Sequence, residues 1–496
     1  MRHGTRINEE ITVYFQQFYL TCLSHASYML GSEGVACVVD PQRDVELYID
    51  EARKQGLRIE HIIETHLHAD FVSGHRELAD RTGAKIYLGA AAGATFPHVA
   101  VHEGDEIRFG RAVLRFLETP GHTLESVSIA VTDLDRGEKP YAVLTGDTLF
   151  IGDVGRPDLS KDHTPQQLAA LLFDSLHTKL IPLGDDVEVY PAHGAGSLCG
   201  KQMRPERQST IGKERALNYA LRPSTKEEFV RLLTAELPER PGYFALDAEI
   251  NRTGAAALTE SAPLPQLTPE ELLAKQSAGA VVLDTRPSNQ FFAGHVPGAV
   301  HIALAGQYAS WAATLVGLDR DIILIAEDEE QVEESRMRLS RVGVERVIGS
   351  LRGGMSEWAR ENRPVAEIGQ VSAEELSREL DSVQVIDVRR PGEWADGHIA
   401  GALLKPLNQL ESSLGDLDRS RPIAVHCKGG YRSAIAASLL QRAGFENVMN
   451  VTGGFDAWLA CGLPRVQPPA PLHESPPGQP AAADAQVSTA RGAREA

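Results

Sequence analysis

Two short stretches of this sequence carry residues whose types and spacing could do chemistry, and the chemistry differs between them. The first is Thr65-His-Leu-His-Ala-Asp-Phe71. Its alternating His, His and Asp set three potential metal ligands on one tight loop. Pro120-Gly-His122-Thr, Thr145-Gly-Asp147-Thr and Pro191-Ala-His193-Gly follow downstream, each just after a strand-like run. Strand ends are where an α/β scaffold presents its functional side chains. A lone histidine reads as a satisfied surface or core residue, but His66, His68, Asp70, His122, Asp147 and His193 together read as a metal centre. Two neighbours admit two readings each. Tyr190 could donate a hydrogen bond into the pocket or pack in the core. Cys199 stands among glycines close after His193, where it could carry a persulfide or be a buried, inert thiol.

The second stretch is Pro422-Ile-Ala-Val-His-Cys427-Lys-Gly-Gly-Tyr-Arg432-Ser-Ala. A strand ends at Cys427, a short Gly-containing loop follows, and an Ala-rich helix starts at Ser433. Backbone N–H groups in such a loop, with a helix N-terminus behind them, make an anion cradle. That setting favours a thiolate and a persulfide anion, and Lys428 and Arg432 add positive charge.

The elements that must hold these residues are legible in outline. Residues 12–40 read as two apolar, β-branched stretches around a turn at Gly31–Gly34, then a helix-length run from Val45 to Gly56 and a strand over Ile59–Glu64. Strand and helix patterns alternate to about residue 200, which points to an α/β layered unit. The run from Lys213 to Leu237 has helical spacing, with a break expected at Pro223. Ala, Pro and Thr dominate 253–269, which reads as a linker, and Pro and Ala dominate from 468 onward, which reads as disorder.

Between linker and tail lies an internal repeat. Val282-Leu-Asp-Thr-Arg286 matches Val385-Ile-Asp-Val-Arg389, and Gly294-His-Val-Pro-Gly-Ala299 matches Gly397-His-Ile-Ala-Gly-Ala402. Gly353-Gly-Met-Ser-Glu-Trp358 matches Gly453-Gly-Phe-Asp-Ala-Trp458, and the three offsets are 103, 103 and 100 residues. Each copy is the size of one small α/β domain. Aligning Gly343 with Gly444 sets Ala326 opposite Cys427 and Gln331 opposite Arg432, in an acidic loop. The first copy therefore reads as catalytically silent, with a packing or docking role.

A chain of 496 residues suggests about three domains. With 49 Lys and Arg against 68 Asp and Glu the net charge is −19, which argues against nucleic acid and anionic membrane as partners. No apolar run reaches membrane-spanning length and the N-terminus lacks the pattern of a secretory signal. Five widely spaced cysteines without a CxxC fit a reducing cytoplasm. The sequence leaves a homo-oligomer open.

The residues around 12–250 resemble the metallo-β-lactamase fold, whose signature is HxHxDH followed by separate His, Asp and His ligands. Here the last histidine of that signature is Phe71. In the family that histidine and the preceding Asp help hold a second metal, so the second site is expected to be empty, which disfavours two-metal hydrolysis. Two His and one carboxylate with open positions suit non-haem Fe(II). Within the fold, the resemblance is to the persulfide dioxygenases. It implies one Fe(II) per chain on His66, His122 and Asp147, with His68 and Asp70 beside the metal or stabilising their loop. His193 would lie near the pocket without being a ligand. In the dioxygenases an Arg in the loop after the aspartate faces the substrate thiol, which maps to Arg156; a plain pair with Asp153 or Asp158 is the alternative.

Residues 370–466 resemble the rhodanese sulfurtransferases, with Cys427 as the sulfur acceptor. The spacing from Cys427 to Arg432 is one residue shorter than in a related phosphatase loop. The expected architecture is thus an αββα sandwich over 1–252, a silent rhodanese-like α/β domain over 262–366, an active one over 370–466, and a disordered tail over 467–496. The resemblance implies a sulfide-detoxifying fusion. A small thiol persulfide, with glutathione or coenzyme A as carrier, reacts with O2 to give sulfite, and Cys427 exchanges sulfur with sulfite and thiosulfate. A thioester hydrolase of the glyoxalase II kind and a non-enzymatic sulfur carrier are the alternatives.

Overall fold

The computed structural model describes residues 13–467 other than 236, 238 and 259–262. Residues 1–12, part of the linker and, apart from Gln467, the expected disordered tail lie outside the described residues. The first unit is built from two six-stranded sheets. One holds β1 (Tyr14–Leu20), β2 (His25–Ser32), β3 (Val35–Val39), β4 (Arg58–Ile63), β5 (Lys85–Gly89) and β6 (Val99–Val101), side by side in chain order. The other holds β7 (Glu106–Phe109), β8 (Ala112–Glu118), β9 (Val127–Asp133), β10 (Ala142–Gly146), β11 (Glu188–Pro191) and β12 (Ser209–Thr210), also in chain order.

Side-chain alternation explains why the sheets stack. Tyr28, Leu30, Cys37 and Val39 face the core between the sheets, while Met29, Ala36 and Val38 face outward. Ile129, Val131 and Leu144 face the same inner core from the second sheet, while Ala130 and Val143 face out. Because both faces of these strands are apolar, both sheets need covering. Tyr48 of α1 (Glu46–Lys54) and Leu78 of α2 (His75–Thr82) cover the first. Leu172 of α3 (Pro165–Ser175), Ile211 of α4 (Ile211–Leu217) and Phe229 of α5 (Lys226–Thr234) cover the second, each such burial worth about 1.5–3 kcal/mol. The result is the expected αββα sandwich.

One local expectation needs correcting. The stretch 12–40 forms three strands, not two, because a tight turn without Gly or Pro separates β1 from β2; Ser24 there adopts φ +53°. The break expected at Pro223 in the 213–237 run is present, between α4 and α5 over 218–225.

α6 (Phe244–Thr253) leads into the repeated half. The first copy comprises β13 (Gln266–Leu267), α7 (Pro269–Ser277), β14 (Val281–Asp284), α8 (Ser288–Ala293), β15 (Val300–His301), α9 (Tyr308–Leu315), β16 (Ile322–Ile325), α10 (Glu329–Ser340), β17 (Val347–Leu351) and α11 (Gly354–Arg360). The second comprises β18 (Gly369–Val371), α12 (Ala373–Glu379), β19 (Gln384–Asp387), α13 (Pro391–Ala395), β20 (Leu403–Leu404), β21 (Ile423–His426), α14 (Tyr431–Arg442), β22 (Val448–Val451) and α15 (Gly454–Ala460). Their parallel sheets have the same order, β13-β17-β16-β14-β15 and β18-β22-β21-β19-β20.

The duplication extends to single hydrogen bonds. Arg286 and Arg389 each chelate the aspartate two residues earlier and cap a glycine carbonyl, Gly294 O at 2.9 Å and Gly397 O at 2.8 Å. Trp358 and Trp458 each donate to a proline carbonyl at 2.9 Å. Among the described residues no helix is long and apolar enough to cross a membrane.

Candidate metal centre and cysteine loop

The metal-type residues come off the carboxyl ends of strands. His66 follows β4, His122 follows β8, Asp147 follows β10 and His193 follows β11. The sandwich brings these ends together. One ligand atom each from His66, His122 and Asp147 lies within 4.8 Å of the others, and all three residues are buried. His66 Nδ1 is 2.9 Å from Thr65 Oγ1, and His122 Nδ1 is 2.9 Å from the Arg156 carbonyl oxygen, so each ring turns its Nε2 inward. Those two Nε2 atoms and Asp147 Oδ2 are buried without a hydrogen-bond partner. Three orphaned buried polar atoms facing each other are costly unless an ion fills the space, so the donor set fits a metal. Gly155 must be glycine for this packing: a Cβ there would meet His122 Nδ1 at 2.9 Å.

Electrostatics suit ligation. Burial holds His66 and His122 below the usual imidazole range, so both are neutral donors. Burial opposes ionisation of Asp147, but His193 and the two ring ligands outweigh it and hold its carboxyl well below the ordinary range. His193 Nδ1 lies 2.7 Å from Asp147 Oδ1 and its Nε2 lies 3.0 Å from Asp70 Oδ2. His193 therefore engages one oxygen of Asp147 and leaves the other for the centre.

His68 is drawn away from that centre, with Nε2 3.2 Å from Asp40 and 3.4 Å from Glu64. Burial would lower its pKa, but those carboxylates lift it to about 10. His68, Asp70 and His193 nevertheless form a second cluster whose ligand atoms lie within 4.8 Å of one another. Phe71 packs against this cluster, its ring centroid 4.4 Å from that of His68 and 4.1 Å from that of His25.

The remaining candidates sit as follows. The Arg156 guanidinium chelates Asp158 at 2.7 and 2.8 Å and donates to Leu198 O, so its backbone carbonyl rather than its charge orients His122. Tyr190 packs in the sandwich core against Phe15 and Tyr28, and its hydroxyl donates to Glu188. Cys199 is buried, and burial with the Asp70 and Asp147 carboxylates raises its pKa well above the ordinary thiol value, which leaves a protonated thiol.

Sequence reasoning missed several positioning residues. Asp40, at the end of β3, accepts from Thr65 N and Thr65 Oγ1 at 2.7 and 2.9 Å and so fixes the residue behind His66. A carboxylate just past a strand end was the available signal. Asn251 of α6 donates to His68 O and Phe71 O, both at 2.7 Å, and accepts from Ser73 N at 2.8 Å. His25 is buried against Phe71 with both ring nitrogens unpartnered. Nothing in the sequence around Asn251 or His25 marks either role.

In the last unit Cys427 directly follows β21, is buried, and accepts a hydrogen bond from Gly430 N–H at 3.1 Å. Lys428 is exposed. Arg432 is not a bare charge: it forms two hydrogen bonds to Glu393, at 2.6 and 2.8 Å. The loop rests on α15, where Phe455 N and Asp456 N donate to the Cys427 and Lys428 carbonyls. Gly454 permits this with φ +59°, and a Cβ there would meet Cys427 O at 2.5 Å. In the first copy Ala326 replaces the thiol, and Gln290 and Gln331 both donate to Glu327 where the second copy has its Arg432–Glu393 pair.

Fold and sites together define a metal-binding αββα unit joined to a duplicated sulfurtransferase-type unit. A metallo-beta-lactamase superfamily model matches residues 20–193, and a rhodanese-like domain model matches twice, at 268–361 and 372–461. The mitochondrial persulfide dioxygenase ETHE1 of Homo sapiens is 32% identical over 215 residues, 42% of this chain and 75% of that protein. A sulfurtransferase of Allochromatium vinosum is 33% identical over 104 residues, 20% of this chain and 97% of that protein. A solved metallo-beta-lactamase from Staphylococcus aureus subsp. aureus COL aligns with TM-score 0.62 and 31% identity, over 68% of this chain and 99% of that one. The chain belongs to the metallo-β-lactamase superfamily, with homology to the persulfide dioxygenases, and carries two rhodanese-like domains after that unit.

Proposed function

We propose that this protein is a persulfide dioxygenase and sulfurtransferase acting in sulfur metabolism, in the cytoplasm. The observation that carries the reading is the pairing of the buried His66, His122 and Asp147 triad with the Cys427 loop in one chain. The residues fit one Fe(II) per chain, which when bound supplies the one-electron chemistry needed for O2 to react with a sulfane sulfur. The overall reaction is R–SSH + O2 + H2O giving R–SH, sulfite and two protons, with R a small thiol carrier such as glutathione.

The chain's own residues prepare that reaction. Thr65 and the Arg156 carbonyl fix the two imidazoles, and His193 fixes the carboxylate. At the other site the Cys427 thiolate attacks the outer sulfur of a second persulfide. The S–S bond breaks, R–S⁻ leaves and takes the persulfide proton, and Cys427 carries the sulfur. Sulfite attacks that sulfur, thiosulfate forms, and the Cys427 thiolate returns. The Gly430 N–H is placed to receive negative charge on the sulfur during both displacements. Housing both sites in one chain keeps the shared sulfite at high local concentration.

Oxygen uptake by the iron-loaded chain supplied with glutathione persulfide tests the reading. The wild type should consume O2 and release sulfite or thiosulfate, and His122→Ala should do neither. Absence of uptake by the wild type would refute it.

A further inference from the structure

The helix that begins at the cysteine loop, α14, is buried at every position from Ser433 to Leu440. Its own domain covers one side, where Ser433 Oγ donates to Asn450 of β22 at 2.7 Å. The silent copy covers another. Tyr431, Ser438 and Gln441 are spaced to share one side of the helix, and all three meet that copy. The Tyr431 hydroxyl donates to Ala303 O at 3.0 Å, Ser438 Oγ accepts from His301 N at 3.0 Å, and Gln441 Oε1 lies 2.8 Å from His295 Nε2. Of these three, Tyr431 belongs to the loop itself. It directly follows Gly430, whose N–H donates to Cys427 Sγ.

The loop needs an outside anchor. A Cβ on Gly429 or Gly430 would meet no described atom within 4 Å, and Gly430 sits at φ +113°. Two adjacent glycines with open space beside them have little stiffness of their own. The start of the loop is held by the α15 amides that donate to the Cys427 and Lys428 carbonyls. Its end is held by Tyr431, whose ring also lies against Gly306; a Cβ there would meet the ring at 3.4 Å. The receiving segment is itself fixed. Ile302 N and Leu304 N donate to Asp284 O and Thr285 O at 3.1 and 2.9 Å, and Arg338 of α10 donates to the Leu304 and Gly306 carbonyls. Burial pushes the Tyr431 pKa up, so the hydroxyl stays a donor. In the silent copy the matching position is Glu330, which is exposed.

We propose that Tyr431 is a positioning residue for Cys427, and that the silent copy, through Ala303 and Gly306, is the support that keeps the Gly430 N–H on the sulfur. The inference rests on the sulfurtransferase reading given above. The Tyr431 hydroxyl is engaged by the silent copy rather than by Cys427, so it acts on the two displacements through the Gly430 amide. An N–H already held at the sulfur needs no reorganisation as charge moves onto and off it. The silent copy thus serves a cysteine loop although its own loop carries Ala326.

The test makes two measurements on the full chain: thiosulfate formation from glutathione persulfide and sulfite without O2, and hydrogen exchange of the peptide that carries the Gly430 amide. Tyr431→Phe keeps the ring and removes the hydroxyl. It should lower kcat about fivefold, the loss of one ordinary hydrogen bond, with KM for sulfite unchanged and faster exchange at Gly430. Tyr431→Ala should lose more than about tenfold. Ser438→Ala loosens the same seam away from the loop; it should melt earlier yet match wild type in both measurements. Three results would each overturn the proposal: wild-type turnover and exchange in Tyr431→Phe, a raised KM for sulfite in place of a lowered kcat, or equal losses in Ser438→Ala. If the wild type transfers no sulfur but Tyr431→Phe still speeds exchange at Gly430, the positioning stands and the sulfurtransferase reading fails. If the wild type transfers sulfur and neither Tyr431 variant changes the exchange, the positioning alone fails.

Discussion

At the scale of single residues, what decides the chemistry is which atoms are left without partners. His193 matters because it engages one oxygen of Asp147 and leaves the other free for the centre. His193→Ala should weaken metal binding about 10–100-fold, read by competition with a chelator, and His193→Gln should recover part of the loss. Glu393 offers a pH signature. Burial would raise its pKa, but two hydrogen bonds from Arg432 bring it from 4.5 to about 2. A carboxyl depressed on folding adds stability above its unfolded pKa and loses it as the pH falls toward the folded value. In thermal melts the advantage of wild type over Glu393→Gln should be full above about pH 5 and gone by about pH 2. The ligand candidates are legible in the sequence because His and Asp recur after strand-like runs. Tyr190 is not, because a strand-end tyrosine looks the same whether it faces the pocket or the core; here it belongs to the core.

At the scale of elements, the sites depend on segments far away in the chain. Asn251 of α6 satisfies the His68 and Phe71 carbonyls and the Ser73 amide, from 180 residues beyond Phe71. Asn251→Ala leaves those buried backbone groups unpaired and should cost about 2–4 kcal/mol in chemical denaturation, with weaker metal binding. α15 plays the same part for the cysteine loop. Gly454→Ala puts a Cβ against the Cys427 carbonyl at a positive φ and should cut sulfur transfer more than about tenfold while O2 uptake persists. The alternating patterns and repeat offsets show the strands and the duplication directly. They do not show the third strand in 14–39, since its turn lacks the Gly or Pro that marks most turns. Nor do they show Asn251, whose partners are backbone atoms and carry no sequence mark.

At the scale of the whole molecule, the first rhodanese-like copy packs directly against the first unit. Loss of Cys427 and Arg432 counterparts in the first copy leaves Ala326 and Gln331, yet Arg341, Glu345 and Gln307 of that copy all contact the metal-binding unit. The other neighbour is tied in as well: Tyr431, at the start of α14, donates to Ala303 O in the loop that ends at Gln307. With two sites in one chain, product should report on each separately. Cys427→Ser should convert persulfide and O2 to sulfite alone, where the wild type should give thiosulfate. His66, His122 and Asp147 are expected to hold a single iron, despite the second cluster of His68, Asp70 and His193 beside Phe71. Metal analysis of the purified full chain tests it most directly. One iron per chain is expected, lost in His122→Ala and retained in His68→Ala. Two metal ions per chain, with one lost in His68→Ala, would contradict it.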